Sequence, residues 1–358
     1  MRRYTTRQSR TPQMYCHQRA LLFPGQGSQF VGMGRDIYDQ FAVSRQVFEE
    51  ADEVLGFSLS RLMFAGDPEE LMRTKNAQPA IVTVSTATIR ALEFEAGLEV
   101  SDIYSFAMGH SVGEYAALIG ARALSFVDGI RLVRARGESM QSSIKQREYA
   151  MSACILRRST IADVVADVER VQQEIIKDSN MSSNVDCDVV QVANINSSSQ
   201  IVLSGTKAAV DRALASLQLK RLAMRAVNLP VSAPFHCRLM APAKEALERK
   251  FNELAPISDS RTWTMPVISN VTARPYESAQ ETQRLLVEQV DNPVLWQKSM
   301  QYLKDVHGVS RWGAAGPGCV VGNLASKEYS KDIVRRLSDA TAIKEFVAVL
   351  NRQKQRGF

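Results

Sequence analysis

IYSFAMGHSVGEYAALIGARA, residues 103–123, decides the fold class. Residues 103–108 are an apolar run with the length of a buried strand. The run stops at Gly109, and a helix-forming stretch begins at Glu114. Between them stands Gly109-His110-Ser111-Val112-Gly113, whose two glycines let the chain turn tightly from strand into helix without Cβ clashes. Such a turn lifts the Ser111 hydroxyl clear of a sheet. The helix that follows offers N–H groups and positive potential to a developing oxyanion. The alternative is a turn serine with a purely structural part.

Outward from this turn the pattern repeats. ALLF (20–23) reads as a short buried strand ending in PGQGSQ, with helical patterns over about 36–56 and 78–96. Strands alternating with helices imply an α/β fold with a mostly parallel sheet. The middle of the chain differs. MSACIL (151–156), a helix over 159–177, DVVQVANI and QIVLSG around NSSS, a helix over 206–219 and RLAMRAVNL (221–229) follow the order βαββαβ, the ferredoxin-like arrangement. The expected division is a basic extension at 1–19, a large α/β core at 20–145 and 232–345, and an inserted small subdomain at 146–231. The core resumes with a helix near 239–254, a strand MPVISNV (265–271), a helix at 281–290 and a GPG turn at 316–318.

Serine is a weak nucleophile until a base takes its proton. The chain has four histidines, so elimination is possible. His17 sits in the basic extension, His110 adjoins the serine and should diverge from it, and His307 lies at an ordinary helix end. His236, in LPVSAPFHCRLM, remains, against the alternative of a buried, hydrogen-bonded histidine. No acid follows it closely, Glu245 being the first, so something other than an acid, such as a backbone or side-chain carbonyl, must hold the other ring nitrogen. In SFVDGIRLVRARGESMQSS, Leu132, Val133 and Met140 share the helix face of Arg136. A buried-facing arginine needs an anion, either an internal carboxylate or that of a substrate. FPGQGSQFVGMG (23–34) invites a dinucleotide reading, but Phe30 stands where the third glycine belongs. The turn can instead aim a backbone N–H across the site.

Composition sets the bounds. The chain has 358 residues, 45% hydrophobic and 23% charged, with a formal charge of +6. No run approaches the roughly 20 apolar residues of a membrane span. Much of the positive charge lies in Arg2, Arg3, Arg7, Arg10 and Arg19, with no acid before Asp36. An Arg-rich, hydroxyl-rich, acid-free start has the composition of an organelle transit segment; the alternative is a basic tail without an address. The remainder is nearly balanced in charge, which argues against nucleic acid. The five scattered cysteines fit neither a disulfide framework nor a zinc site.

Taken in order, FPGQGSQ, GHSVGEYAAL, RLVRARGESMQ, PVSAPFHCRLM, LVEQVDNPVLW and GPG resemble the malonyl-CoA:acyl carrier protein transacylase family over about residues 20–325. The resemblance implies a hydrolase-like α/β core carrying a ferredoxin-like subdomain. It implies a ping-pong transfer of malonyl from malonyl-CoA to the phosphopantetheine thiol of acyl carrier protein, through an ester on Ser111. His236 would be base and then acid, held by main-chain carbonyls. Arg136 would bind the malonyl carboxylate. The backbone N–H groups of Gln26 and Val112 would form the oxyanion hole, and Gln289 would line the site. No metal or bound cofactor is implied, coenzyme A entering only as part of the substrate. The expected protein is a monomer of the mitochondrial matrix, with another organelle such as the plastid, or the cytoplasm, as alternatives. Val112 stands where leucine is commoner and Cys237 where serine is usual. KQREYAMSA (145–153) replaces a Gly-rich lead, and the polar loop at 178–188 is long. The carrier is generally acidic, so basic surface is expected near the cleft.

Overall fold

Along the chain the strands are β1 (Gln18–Phe23), β2 (Phe106–Gly109), β3 (Tyr149–Leu156), β4 (Val190–Ser197), β5 (Gln200–Thr206), β6 (Ala223–Asn228), β7 (Val267–Ile268), β8 (Val309–Ala315) and β9 (Val334–Leu337). This computed structural model describes residues 18–143, 147–156, 161–178, 187–231, 233–254 and 257–355. The first 17 residues of the basic extension, and most of the polar loop at 178–188, lie outside the described residues.

Two sheets form. The first has the order β7-β2-β1-β8-β9, and all its pairs are parallel. Its side chains alternate between two cores. Leu21, Phe23 and Ala107 enter the larger one, while Ala20, Leu22, Phe106 and Met108 enter a second on the opposite face. β1 and β2 run in register from Ala20↔Phe106 to Phe23↔Gly109, so the PGQG turn and the GHSVG turn leave the same edge side by side. In open parallel sheets that edge, beyond the strands' carboxyl ends, is where ligands bind.

The second sheet has the order β4-β5-β3-β6 and is antiparallel throughout. Helices Ile161–Asp178 and Lys207–Leu219 cover one face through Val164, Val168, Val171, Val210 and Leu217. On the other face Met151, Ala153, Ala193 and Val202 join the large core. Strand β4 is also stitched to that core: Ile195 N–H donates to the Val294 carbonyl at 3.0 Å and Val294 N–H to the Ala193 carbonyl at 2.9 Å. The fold is thus α/β, a mostly parallel sheet with a separate antiparallel one.

Some elements differ from the sequence reading. β1 begins at Gln18, where pairing with β8 begins, so Arg19 belongs to the strand and is buried. The helix read over 36–56 breaks at Phe41, whose extended backbone (φ −125°) separates Arg35–Gln40 from Ala42–Leu55. The helix read from 78 begins at Thr74 and carries Pro79 near its start. Pro79 has no N–H for the Lys75 carbonyl, which accepts Arg134 Nη1 at 3.2 Å instead. Residues 100–103 form a helical turn, leaving only four residues to β2. MPVISNV yields just two strand residues, because β7 pairs only with Ala107 and Met108 before the chain turns inward. Strand β9 and the helix Ala340–Gln355 complete the core unforeseen. No helix among the described residues is long and apolar enough to cross a membrane.

Candidate active site

The chain between β2 and the helix Gly113–Gly120 turns through Ser111 at φ 53°, a left-handed backbone that non-glycine residues rarely adopt. The glycines either side are required by space. A Cβ on Gly109 would lie 1.9 Å from the Gly113 carbonyl group, and one on Gly113 would lie 2.6 Å from the Phe23 oxygen. Asn270, delivered by the chain leaving β7, clamps the turn: its Oδ1 accepts Ser111 N–H and its Nδ2 donates to the Gly109 carbonyl, both at 2.7 Å. The clamp leaves the next amide free. Val112 N–H and Gln26 N–H have no acceptor among the described residues. Gly25 lets the Gln26 turn approach, since a Cβ there would lie 2.4 Å from the His110 oxygen. The His110 ring points away, to Asn196 Oδ1 at 2.8 Å and over Trp296.

His236 also has a left-handed backbone, φ 58°, and is buried. Its Nε2 lies 2.8 Å from Ser111 Oγ and its Nδ1 lies 2.8 Å from the Gln289 carbonyl. A carbonyl can only accept, so Nδ1 carries the proton and Nε2 presents its lone pair to the serine. Burial pushes the imidazole down to about 3, with the positive Arg136 acting in the same direction. At neutral pH it is therefore a neutral base.

Arg136 comes from helix Phe126–Ser142 and is 1% exposed. Its Nη1 donates to Gln78 Oε1 at 2.8 Å, and its Nη2 donates to Gln289 Oε1 at 2.9 Å and to Ser111 Oγ at 3.2 Å. Nε has no acceptor among the described residues. All three acceptors are neutral, and Arg136 forms no ion pair among the described residues. Of the two partners open to it from sequence, the internal carboxylate is not in contact. Burial lowers its affinity for a proton, so an incoming anion would relieve a real cost.

The structure thus brings Ser111, His236, Arg136, Gln289 and the two amides of Gln26 and Val112 to one edge of the sheet. It adds four residues that the sequence reading did not single out: Gln78, Glu114, Asn270 and Tyr276. Glu114 is fully buried and accepts from Asn270 N–H at 3.0 Å, from Tyr276 Oη at 2.5 Å and from Gln289 Nε2. Burial raises its carboxyl to about 7, against those hydrogen bonds and the attraction of Arg136. One signal was present: a lone acid in the apolar run EYAALIG must be buried, and so must be satisfied internally.

Comparison with known proteins agrees with this constellation. Residues 20–309 match the acyl transferase domain family. The chain is 38% identical to the malonyl CoA-acyl carrier protein transacylase of Bacillus subtilis over 93% of its own length and 98% of that protein's. It is 37% identical to the Escherichia coli protein of the same name over 90% and 97%. Among solved structures, the acyl-carrier-protein S-malonyltransferase of Bartonella henselae superposes with a TM-score of 0.81 at 36% identity, covering 93% of this chain and 99% of that one. A malonyl-transacylase solved with its type II PKS acyl-carrier protein gives 0.80 at 32% identity, over 93% and 99%. The chain belongs to the acyl transferase family, among the malonyl CoA-acyl carrier protein transacylases.

Proposed function

We propose that Ser111, His236 and Arg136 together carry the family's reaction here: malonyl passes from malonyl-CoA to Ser111 and then to the phosphopantetheine thiol of acyl carrier protein, for fatty acid synthesis. The reading rests on one observation, a buried guanidinium with only neutral partners at hydrogen-bond distance from an activated serine. Malonyl carries its carboxylate a single methylene away from the thioester carbonyl. A fixed cation beside the nucleophile suits that short reach, and its two-pronged face suits a carboxylate.

His236 Nε2 takes the Ser111 proton while Oγ attacks the thioester carbonyl. The free amides of Gln26 and Val112 receive the oxyanion. The tetrahedral intermediate collapses, the C–S bond breaks, and the imidazolium returns its proton to the departing coenzyme A sulfur. The carrier's thiol then repeats the sequence against the malonyl-serine ester, giving its proton to His236 and releasing Ser111 as the alcohol. The Gln289 carbonyl holds the imidazole orientation throughout. Coenzyme A enters as part of the substrate, and these steps call on no metal or resident cofactor.

An esterase with the same elbow would pass the acyl group to water. Intact-protein mass spectrometry after mixing with malonyl-CoA separates the readings. Transfer requires an adduct on Ser111 that persists until acyl carrier protein is added; rapid free malonate without accumulation would indicate hydrolysis. We extend the proposal to a monomer in the mitochondrial matrix, addressed by the basic extension, which carries Arg2, Arg3, Arg7 and Arg10 and no acid ahead of β1. Residues 1–19 fused to a fluorescent protein should direct it to mitochondria; a plastid or diffuse cytosolic signal would overturn that part.

A further inference from the structure

The site just described leaves one buried charge without a part in the chemistry. The Glu114 side chain bonds neither the Ser111 hydroxyl nor His236 among the described residues. Its carboxylate meets three donors, Asn270 and Tyr276 from the segment after β7 and Gln289 from the end of helix Ala279–Glu288. We infer that Glu114 is a positioning residue that locks the side-chain amide of Gln289 in the orientation that makes Arg136 a receptor for the acyl carboxylate. This rests on the function proposed above and adds a residue to its specificity.

The lock follows from donor and acceptor counts. The Gln289 amide sits between a pure donor and three acceptors. Its Oε1 faces Arg136 Nη2 at 2.9 Å, and its Nε2 faces Glu114 Oε2, the Ser111 carbonyl at 3.1 Å and Asn270 Oδ1 at 3.4 Å. Reversing the amide would set NH2 against a guanidinium and oxygen against three oxygens. Glu114 enforces the correct sense in either protonation state. Ionised, both oxygens accept. Protonated, its O–H can turn to the Tyr276 hydroxyl on the Oε1 side, and Oε2 still accepts. A glutamine of the same shape cannot do this. If its oxygen stays with Asn270 N–H and Tyr276 Oη–H, its NH2 confronts the Gln289 NH2. Gln289 must then flip, presenting NH2 to Arg136 and crowding the face that receives the carboxylate.

The backbone carbonyl of Gln289, which holds His236, is unaffected by a side-chain flip. The effect should therefore fall more heavily on malonyl recognition than on acyl transfer itself. In the full-length protein, Glu114→Gln should raise the KM for malonyl-CoA by about 10- to 100-fold and lower acetyl-CoA turnover by a clearly smaller factor. Glu114→Asp, which keeps the charge but withdraws it by a methylene, should shift KM in the same direction and by less. It serves as the test should the glutamine variant fold poorly. With Arg136→Ala already present, Glu114→Gln should cost malonyl transfer nothing further, within about 2-fold. Equal losses for malonyl and acetyl, or full additivity with Arg136→Ala, would mark Glu114 as structural and overturn the inference. An active wild type with unchanged variants sinks this inference alone. A wild type that forms no malonyl adduct sinks the proposed function and this inference with it.

Discussion

Arg136 in the large core and Asp167 in the small subdomain are both buried charges, and they are resolved in opposite ways. Asp167 is surrounded by its own protein: Lys220 Nζ at 2.6 Å, Arg170 Nη2 at 2.8 Å and Ser216 Oγ at 2.7 Å. Burial alone would raise its carboxyl, but those partners outweigh it and hold it below the usual range. The charge is spent on tying helix Ile161–Asp178 to helix Lys207–Leu219 and the residue after it. Arg136 has three neutral acceptors and one N–H with none. A charge met by an opposite charge holds a fold together. One met only by dipoles is left ready for a ligand.

Substitutions can break that contrast. The largest effect expected is on activity at 136: Arg136→Ala should lower kcat/KM for malonyl-CoA by about 3 to 5 kcal/mol, a hundred-fold or more, the cost of removing one partner of a buried pair. Its thermal midpoint should fall little, and Arg136→Met, which keeps the stem's bulk, should match or exceed wild type in a melting experiment. Asp167→Asn should do the reverse, lowering stability by about 1 to 3 kcal/mol in denaturant titration with turnover unchanged. If Asp167→Asn instead impaired malonyl transfer, the division between structural and receptive charge would be wrong.

A smaller effect tests the base. His236 sits at about 3, below its ordinary 6.5, so the folded protein keeps it neutral where the unfolded chain takes up a proton. Stability from this group is complete above 6.5 and is lost as pH falls towards 3. Stopped-flow loading of Ser111 should therefore show no loss with a midpoint near 6.5 between pH 7 and pH 5, and such a limb would contradict a pre-neutralised imidazole. Smallest of all, Cys237→Ser should alter turnover and stability by less than about 1 kcal/mol, since a hydroxyl can replace the thiol on the Pro234 carbonyl at 3.1 Å. A large loss there would extend the active machinery beyond His236.

The same contrast explains what could be read from the sequence. Ser111, His236 and Arg136 stand out in one dimension, through glycine spacing, a short supply of histidines and the phase of one helix. The order βαββαβ was legible because each element of the second sheet shows its own periodicity. Gln78, Asn270 and Tyr276 were not legible, because their importance comes entirely from where the chain brings them. The Asn270 clamp on Ser111 spans 159 residues and the Gln289 contact with Glu114 spans 175. Neutral amides carry no compositional signal, and a two-residue strand such as β7 is set by its neighbour rather than by its own residues. The break at Phe41 and the early start at Thr74 are tertiary decisions of the same kind.

The most direct test of the account is a loading competition. Wild type and Arg136→Ala would each be mixed briefly with equal malonyl-CoA and acetyl-CoA, and the ester on Ser111 identified by peptide mass spectrometry. The account predicts malonyl on the wild-type serine and acetyl on the variant's. Malonyl on both, in the same proportion, would show that the guanidinium does not select the acyl group.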